Sequence, residues 1–269
     1  MTDPAASPDA ARARRLDAVR EWAVGTLAAA GVPNPEVDAE LLVGHVLGIS
    51  RGQVQARSIG GSELGLEDYL AVATAVERRA AREPLQHITG RAPFRHLELA
   101  VGPGVFVPRP ETELAAQLAI DALLEVPHPE PRALDLGTGS GAIAISLATE
   151  VSHASVVAVE ASPAAFIWAK QNARELAGEN LRLVFGDLAE VLPDAAESFD
   201  VVVSNPPYIP QGAIPRDPEV RLHDPEMALF GGADGLDLVR IISRRALAWL
   251  RPGGGLVLEH AEQQGPAVR

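Results

Sequence analysis

Arg132-Ala133-Leu134-Asp135-Leu136-Gly137-Thr138-Gly139-Ser140-Gly141-Ala142-Ile143-Ala144-Ile145-Ser146-Leu147-Ala148 decides the fold of this 269-residue chain. A short apolar run meets a glycine loop, and a good helical stretch follows. That order is the strand–turn–helix of a Rossmann-like unit. Glycines in such a turn let the backbone approach a ligand and take φ values barred to other residues. Three more apolar runs follow. Val156-Val157-Ala158-Val159 ends in Glu160, 19 residues after Gly141. Leu181-Arg182-Leu183-Val184-Phe185 ends in Gly186-Asp187, and Phe199-Asp200-Val201-Val202-Val203-Ser204 ends in Asn205. Alternating strands and helices predict an α/β fold, a mostly parallel sheet with helices on both faces. Ligands of such sheets bind beyond the carboxyl ends of the strands. Asp135 with the glycines, Glu160, Asp187 and Asn205 all fall there.

A glycine loop alone is also compatible with a tight turn that holds nothing. The acids at matching strand ends make the stronger set. Glu160 lies where these folds place a ribose-hydroxyl acceptor. Asp187 is placed to accept an amino N–H from an adenine. The loop reads G-x-G-x-G, not the G-x-G-x-x-G of dinucleotide binders. A pyrophosphate is repelled by a carboxylate at Asp135, whereas a ligand ammonium is attracted. Both points favour S-adenosylmethionine over a nicotinamide dinucleotide.

Asn205-Pro206-Pro207-Tyr208 is the second decisive stretch. The Asn side-chain oxygen accepts one N–H, and the Pro206 carbonyl can accept another. The prolines fix φ and stiffen the loop, while Tyr208 offers a flat face for a planar group. The corner suits a planar nitrogen held for chemistry. Asn and Pro are also ordinary turn residues, so the stretch read alone is also compatible with a plain turn.

Bulk composition narrows the class. Hydrophobic residues make up 47% of the chain, enough for a sizeable core, and aromatics only 4%. There is no cysteine, so disulfides and thiolate metal sites are excluded. The seven histidines, His45, His87, His96, His128, His153, His223 and His260, share no metal-ligand spacing, so no metal is expected. No apolar run is long enough to span a membrane, and the first residues do not read as a signal peptide; a cytoplasmic protein is expected. Net charge is −13, with −3 on residues 1–84 and −10 on the rest. Neither part carries the basic footprint of a free nucleic-acid binder. A protein partner with a basic surface is the easier match.

Along the chain, residues 1–10 read as a disordered tail. Residues 11–83 read as a small helical bundle, with helices over Ala11–Ala30, Glu36–Leu47 and Leu66–Arg82. The polar, glycine-bearing stretch Ser50–Glu63 reads as a connection. The bundle is either a substrate-docking module or a stabilising cap. Residues 84–110 read as a linker with a β-hairpin, in which Phe94, Leu97, Leu99 and Val101 alternate, Gly102-Pro103-Gly104 turns and Val105-Phe106-Val107 returns. Residues 111–269 read as the ligand-binding domain. Glu111-Thr112-Glu113 suits either chemistry or the acid-rich first turn of a helix. Ile209–Gly235 reads as a long proline-rich loop that lids the site.

With these residues in view, the chain resembles the class I S-adenosylmethionine-dependent methyltransferases, and more narrowly the bacterial release-factor glutamine methyltransferases. The resemblance is carried by Glu83-Pro84-Leu85-Gln86-His87-Ile88-Thr89-Gly90, by Phe106-Val107-Pro108-Arg109-Pro110-Glu111-Thr112-Glu113, by Asp135–Gly141, by Asn205–Tyr208 and by Leu258-Glu259-His260 with Gln263-Gln264-Gly265. It implies a Rossmann-like methyltransferase domain behind an N-terminal helical domain. It also implies methyl transfer to the side-chain amide of the glutamine in the Gly-Gly-Gln motif of peptide chain release factors. By matching position, Gly137 to Gly141, with Thr138 and Ser140 between them, would line the methionine part of the cofactor. Glu160 would hold its ribose, and Asp187 and Leu188 would border its adenine. Asn205, Pro206, Pro207 and Tyr208 would hold the glutamine amide. Arg109, Glu111 and Thr112 would shape the rim, and Phe94 or Phe106 would pack on the amide plane. Glutamine of a ribosomal protein, or adenine N6 in RNA or DNA, are the alternative acceptors, and the acidic charge argues against the last. A monomer is expected. Family members continue beyond residue 269 with a helix and a strand hairpin, so the expectation is that C-terminal strands are missing here.

Overall fold

The computed structural model describes residues 12–192 and 195–269. The expected tail at residues 1–10 lies outside the described residues. Two compact units divide between Thr89 and Gly90.

The first unit is helical: α1 (Leu16–Ala29), α2 (Pro35–Leu47), α3 (Arg51–Ile59), α4 (Leu66–Ala80) and α5 (Leu85–Thr89). Leu16, Val19, Ala23 and Leu27 recur every three or four residues on α1, so they share one face and enter the core. Leu42 and Val43 of α2, with Val72 and Val76 of α4, join that core. Helix α3 occupies the stretch read as a connection. Its start is a capping box: the Ser50 side chain accepts from the Gln53 N–H, and the Gln53 side chain accepts from the Ser50 N–H. Only Val54 of this helix is buried, so apolar periodicity gave no signal for it. Glu40 is buried on α2 and takes hydrogen bonds from Arg20 (2.7 Å), Arg51 (2.6 Å) and Gln55 (2.8 Å). Burial works to raise its pKa, yet those three donors prevail and hold it below the ordinary range.

The second unit opens with a hairpin of β1 (Arg91–Phe94) and β2 (Leu97–Ala100), turned at Arg95-His96. The expectation had placed the turn at Gly102-Pro103-Gly104. The structure instead uses Arg95 at φ 52°, and Val105–Val107 forms no strand. Arg95 tolerates that conformation because its guanidinium is held by both oxygens of Glu150 at 2.6 Å.

Helix α6 (Thr112–Leu124) leads into β3 (Arg132–Leu136), α7 (Ala142–Glu150), β4 (Ser155–Glu160), α8 (Pro163–Leu176), β5 (Leu181–Phe185) and β6 (Phe199–Ser204). Short helices α9 (Pro218–His223) and α10 (Glu226–Leu229) precede α11 (Asp237–Trp249), β7 (Leu250–Leu258) and α12 (Gly265–Val268). All five strands of the sheet are parallel, in the order β5-β4-β3-β6-β7. Alternate residues face opposite layers. Ala133, Val156, Ala158, Val201 and Val203 join α6 and α7 in one core, while Leu134, Leu136, Val157, Val159 and Val202 join α11 in the other. This is the expected Rossmann-like methyltransferase architecture. Among the described residues, no helix is long and apolar enough to cross a membrane.

Candidate active site

A cavity of about 580 Å³ lies beyond the carboxyl ends of β3, β4 and β6. Gly137, Thr138, Gly139, Ser140 and Glu160 line one end; Asn205, Pro207 and Tyr208 line the other, with Phe106 and Arg109 between them and the proline-rich segment.

At the first end, Gly137, Gly139 and Gly141 have φ of 70°, 59° and 89°. Each is left-handed, which explains a glycine at every second position. Gly141 is the N-cap of α7 and does not itself border the cavity. Glu160 holds the loop: its Oε2 accepts from the Gly139 N–H (2.8 Å) and its Oε1 from the Ser162 N–H (2.7 Å). Each carboxylate oxygen keeps a free lone pair. Asn172 of α8 is fully buried and clamps the loop from behind. Its Nδ2 donates to the Ser140 and Ala100 carbonyls, and its Oδ1 accepts from the Ala100 N–H.

Asp135 lies under the loop, 1% exposed. Its Oδ2 accepts from the Thr138 hydroxyl (2.6 Å) and the Ala144 N–H (3.2 Å), while Oδ1 is buried without a partner. Burial pushes its pKa up to about 7 against the opposing pull of those two bonds. Asp187 and Leu188 do not line the cavity. Asp187 is exposed and its Oδ1 accepts from the Ala189 N–H; Leu188 packs on the α11 side of the sheet.

At the second end, the Ser204 hydroxyl donates to the Leu136 carbonyl (2.6 Å) and fixes the tip of β6 to β3. Asn205 follows. Its Nδ2 donates to Thr112 Oγ1 at 3.0 Å, which leaves the side-chain oxygen as the free acceptor. Pro206 is buried. Tyr208 donates to Glu259 Oε1 at 3.4 Å, and burial, reinforced by Glu259, pushes its pKa to about 12. The Tyr208 carbonyl accepts from Gln264 Nε2 (2.9 Å). Gly231 and Gly235 press on this corner: a Cβ on either would collide with the Pro207 or Tyr208 carbonyl.

Arg109 stands 5.0 Å over the Phe106 ring and donates to Asp224 Oδ2 at 2.8 Å. Asp224 belongs to the proline-rich segment, so this pair ties that segment to the residues before α6. Burial pushes Asp224 up to about 6, with Arg109 pulling the other way.

Phe94 is a correction. It is 1% exposed and sits in the core with Leu99 and Val101, so it is no wall of the cavity. The alternation that marked it is the inward face of β1. Trp168 also packs, with its ring against Gly102 and its Nε1 donating to the Pro103 carbonyl. Sequence reasoning gave no role to Asn172, Asp224 or Glu259, although Glu259 lies in a stretch that carries the resemblance. Only Glu259 had a signal: it ends an apolar strand, as Glu160 and Asn205 do.

Comparison with known proteins adds an independent line. Residues 18–90 match a family described as the PrmC N-terminal domain, and residues 96–217 match the methyltransferase small domain. A Streptomyces coelicolor protein named release factor glutamine methyltransferase is 50% identical over 243 residues, covering 90% of this chain and 83% of its own. Proteins of the same name from Bifidobacterium longum and Mycolicibacterium smegmatis are 45% and 46% identical, covering 88% and 91% of this chain and 84% of each relative.

Proposed function

The chain belongs to the release factor glutamine methyltransferases, and from that premise we propose that it methylates N5 of the glutamine in the Gly-Gly-Gln motif of a peptide chain release factor, with S-adenosylmethionine as donor. The observation that carries the proposal is the polarity of Asn205. Its amide nitrogen is engaged by Thr112, so an oxygen acceptor remains at the cavity for a substrate N–H.

The residues suit that donor. Two left-handed glycines, Gly137 and Gly139, border the cavity without side chains, and the Glu160 carboxylate beside them has lone pairs for a diol and a charge that favours a cation. Bound at the glycine end, S-adenosylmethionine supplies an electrophilic methyl group on a sulfonium.

An amide nitrogen is a weak nucleophile because its lone pair is shared with the carbonyl. The chain's task is to hold that nitrogen in line. Asn205 Oδ1 and the Pro206 carbonyl accept its two N–H bonds. As the methyl group passed from sulfur to nitrogen, a C–N bond would form while the donor's S–CH3 bond broke, and the nitrogen would become more acidic. Both acceptors then bind it more strongly than in the ground state. The surplus proton passes to water. Tyr208 and Phe106 cover the amide plane. A reaction on release factors belongs in the cytoplasm.

The test is to incubate the protein with methyl-labelled S-adenosylmethionine and a purified release factor, then with the factor's Gln→Ala variant. Label on the first alone supports the proposal. Label that persists on the variant defeats it.

A further inference from the structure

Glu259 is the first residue past β7, and strand register decides where it stands. Ser204 pairs with Leu258, and the Glu259 N–H donates to the Ser204 carbonyl at 3.0 Å. The next residue of each strand is therefore Asn205 on one and Glu259 on the other. Around the Glu259 carboxylate stand Thr112, Tyr208 and Asn205, each near enough to favour its charged form, and Glu111, which disfavours it. Tyr208 reaches Oε1 only at 3.4 Å, and Oε2 is buried with no hydrogen bond of good geometry.

A carboxylate accepts and never donates. Beside it, the Thr112 hydroxyl lowers its energy by turning its proton toward Glu259. Its oxygen is then an acceptor toward Asn205, and only the Nδ2 end of the Asn amide can satisfy it. We propose that Glu259 is a positioning residue: acting through Thr112, it fixes the Asn205 amide with its oxygen toward the methyl acceptor. The inference rests on the function proposed above and names the part of the chain that enforces it. A glutamine at 259 could donate to Thr112, allow that hydroxyl to donate in turn, and stabilise the reversed Asn205 amide.

Burial raises the Glu259 pKa above the ordinary carboxylate range, with Glu111 adding to it. The other charged neighbours are Tyr208 and, facing Tyr208, Arg109. Protonated Glu259 gains a donor and loses its ordering role, so kcat is expected to fall on acidification at a less acidic pH than a free glutamate titrates.

The test uses the full chain with a release factor. In Glu259→Gln, kcat falls roughly ten- to hundredfold, while KM for the release factor and affinity for S-adenosylmethionine stay unchanged. Thr112→Val behaves alike, the double variant is no worse than either single one, and Thr112→Ser retains activity. The acid limb of the kcat profile is absent from Glu259→Gln. In parallel, the Asn205 side-chain NH2 resonances, assigned by their loss in Asn205→Ala, titrate with Glu259 in the wild type and not in Glu259→Gln. Wild-type kcat in Glu259→Gln, a loss confined to KM, or unchanged Asn205 resonances would overturn the inference. If Glu259→Gln does not fold, the Thr112→Ser and Thr112→Val pair decides. A wild-type chain that leaves release factors unlabelled removes the proposed function, and the resonances still decide the positioning.

Discussion

Two buried carboxylates in the two units are treated in opposite ways. Glu40 in the helical unit has a side chain 1% exposed, and three donors meet its two oxygens. Asp135 in the sheet unit is as deeply buried, but one of its oxygens has no partner. Asp224 Oδ1 and Glu259 Oε2 share that lack. Burying a polar atom without a hydrogen bond costs about 1–3 kcal/mol. Glu40 thus belongs to a fold built for stability. The three acids of the sheet unit stand behind residues that line the cavity, Asp135 bonded to Thr138, Asp224 to Arg109 and Glu259 to Tyr208, and their unused acceptor capacity sits next to a site arranged for a ligand.

The largest expected effect is on the site side of this contrast. Asn205→Ala lowers kcat roughly 10²–10³-fold and leaves S-adenosylmethionine affinity within about twofold, because the acceptor oxygen and the Nδ2 bond to Thr112 that orients it are lost while the glycine end of the cavity is untouched. Calorimetric titration with single-turnover kinetics checks it, and a variant with near wild-type turnover removes Asn205 from the mechanism.

On the stability side, Glu40→Ala is expected to destabilise the chain by about 3 kcal/mol, the low end for breaking a buried ion pair because Arg20 and Arg51 reach solvent. Its folded pKa lies below the ordinary value. The contribution is therefore full above that value and is lost as pH falls through the folded one. Urea melts at neutral and acid pH measure both; equal losses at the two would break the contrast.

Asp135 predicts the reverse pH dependence. Its folded pKa is near 7 against an ordinary 3.8, so the folded state binds the extra proton. Stability then declines as pH rises from about 4 to about 7. In Asp135→Asn the decline is shallower. Parallel melt series for the two proteins decide it, and superimposable slopes count against a neutral Asp135.

The smallest effect sharpens the account of the helical unit. Ser50→Ala removes the cap of α3 and costs about 1 kcal/mol, with no change in kcat. Differential scanning calorimetry reads the shift; no shift at all means that packing of Val54, not the cap, holds that helix.

Legibility followed the physics of each element. Strands β3, β4 and β6 were readable because buried parallel strands are runs of mostly apolar residues, whereas β5 is a half-exposed edge strand marked by its β-branched and aromatic residues and the Gly186 that ends it. Helix α3 was hidden because its surface is polar and only Val54 anchors it, although the Ser50–Gln53 pair marked its start. The hairpin was placed late in the chain because glycine and proline signal turns, whereas the actual turn relies on Arg95 and its distant partner Glu150. Phe94 was taken for a wall of the site because scarcity of aromatics is a compositional fact and says nothing about which way a ring points.

By itself the sequence determined that a parallel sheet forms and which residues end its strands, because apolar runs and glycine turns are local properties. It also permitted the left-handed loop at Gly137, Gly139 and Gly141, since glycine takes that backbone with the least strain. Tertiary structure alone decided that Glu259, 54 residues after Asn205, stands at its side, and that Asn172 clamps the glycine loop from another helix. It also decided that Arg109 meets Asp224 across 115 residues. Those pairings depend on strand register and helix packing, and the free energy that sets them is collective, spread over two cores and not written in any one segment.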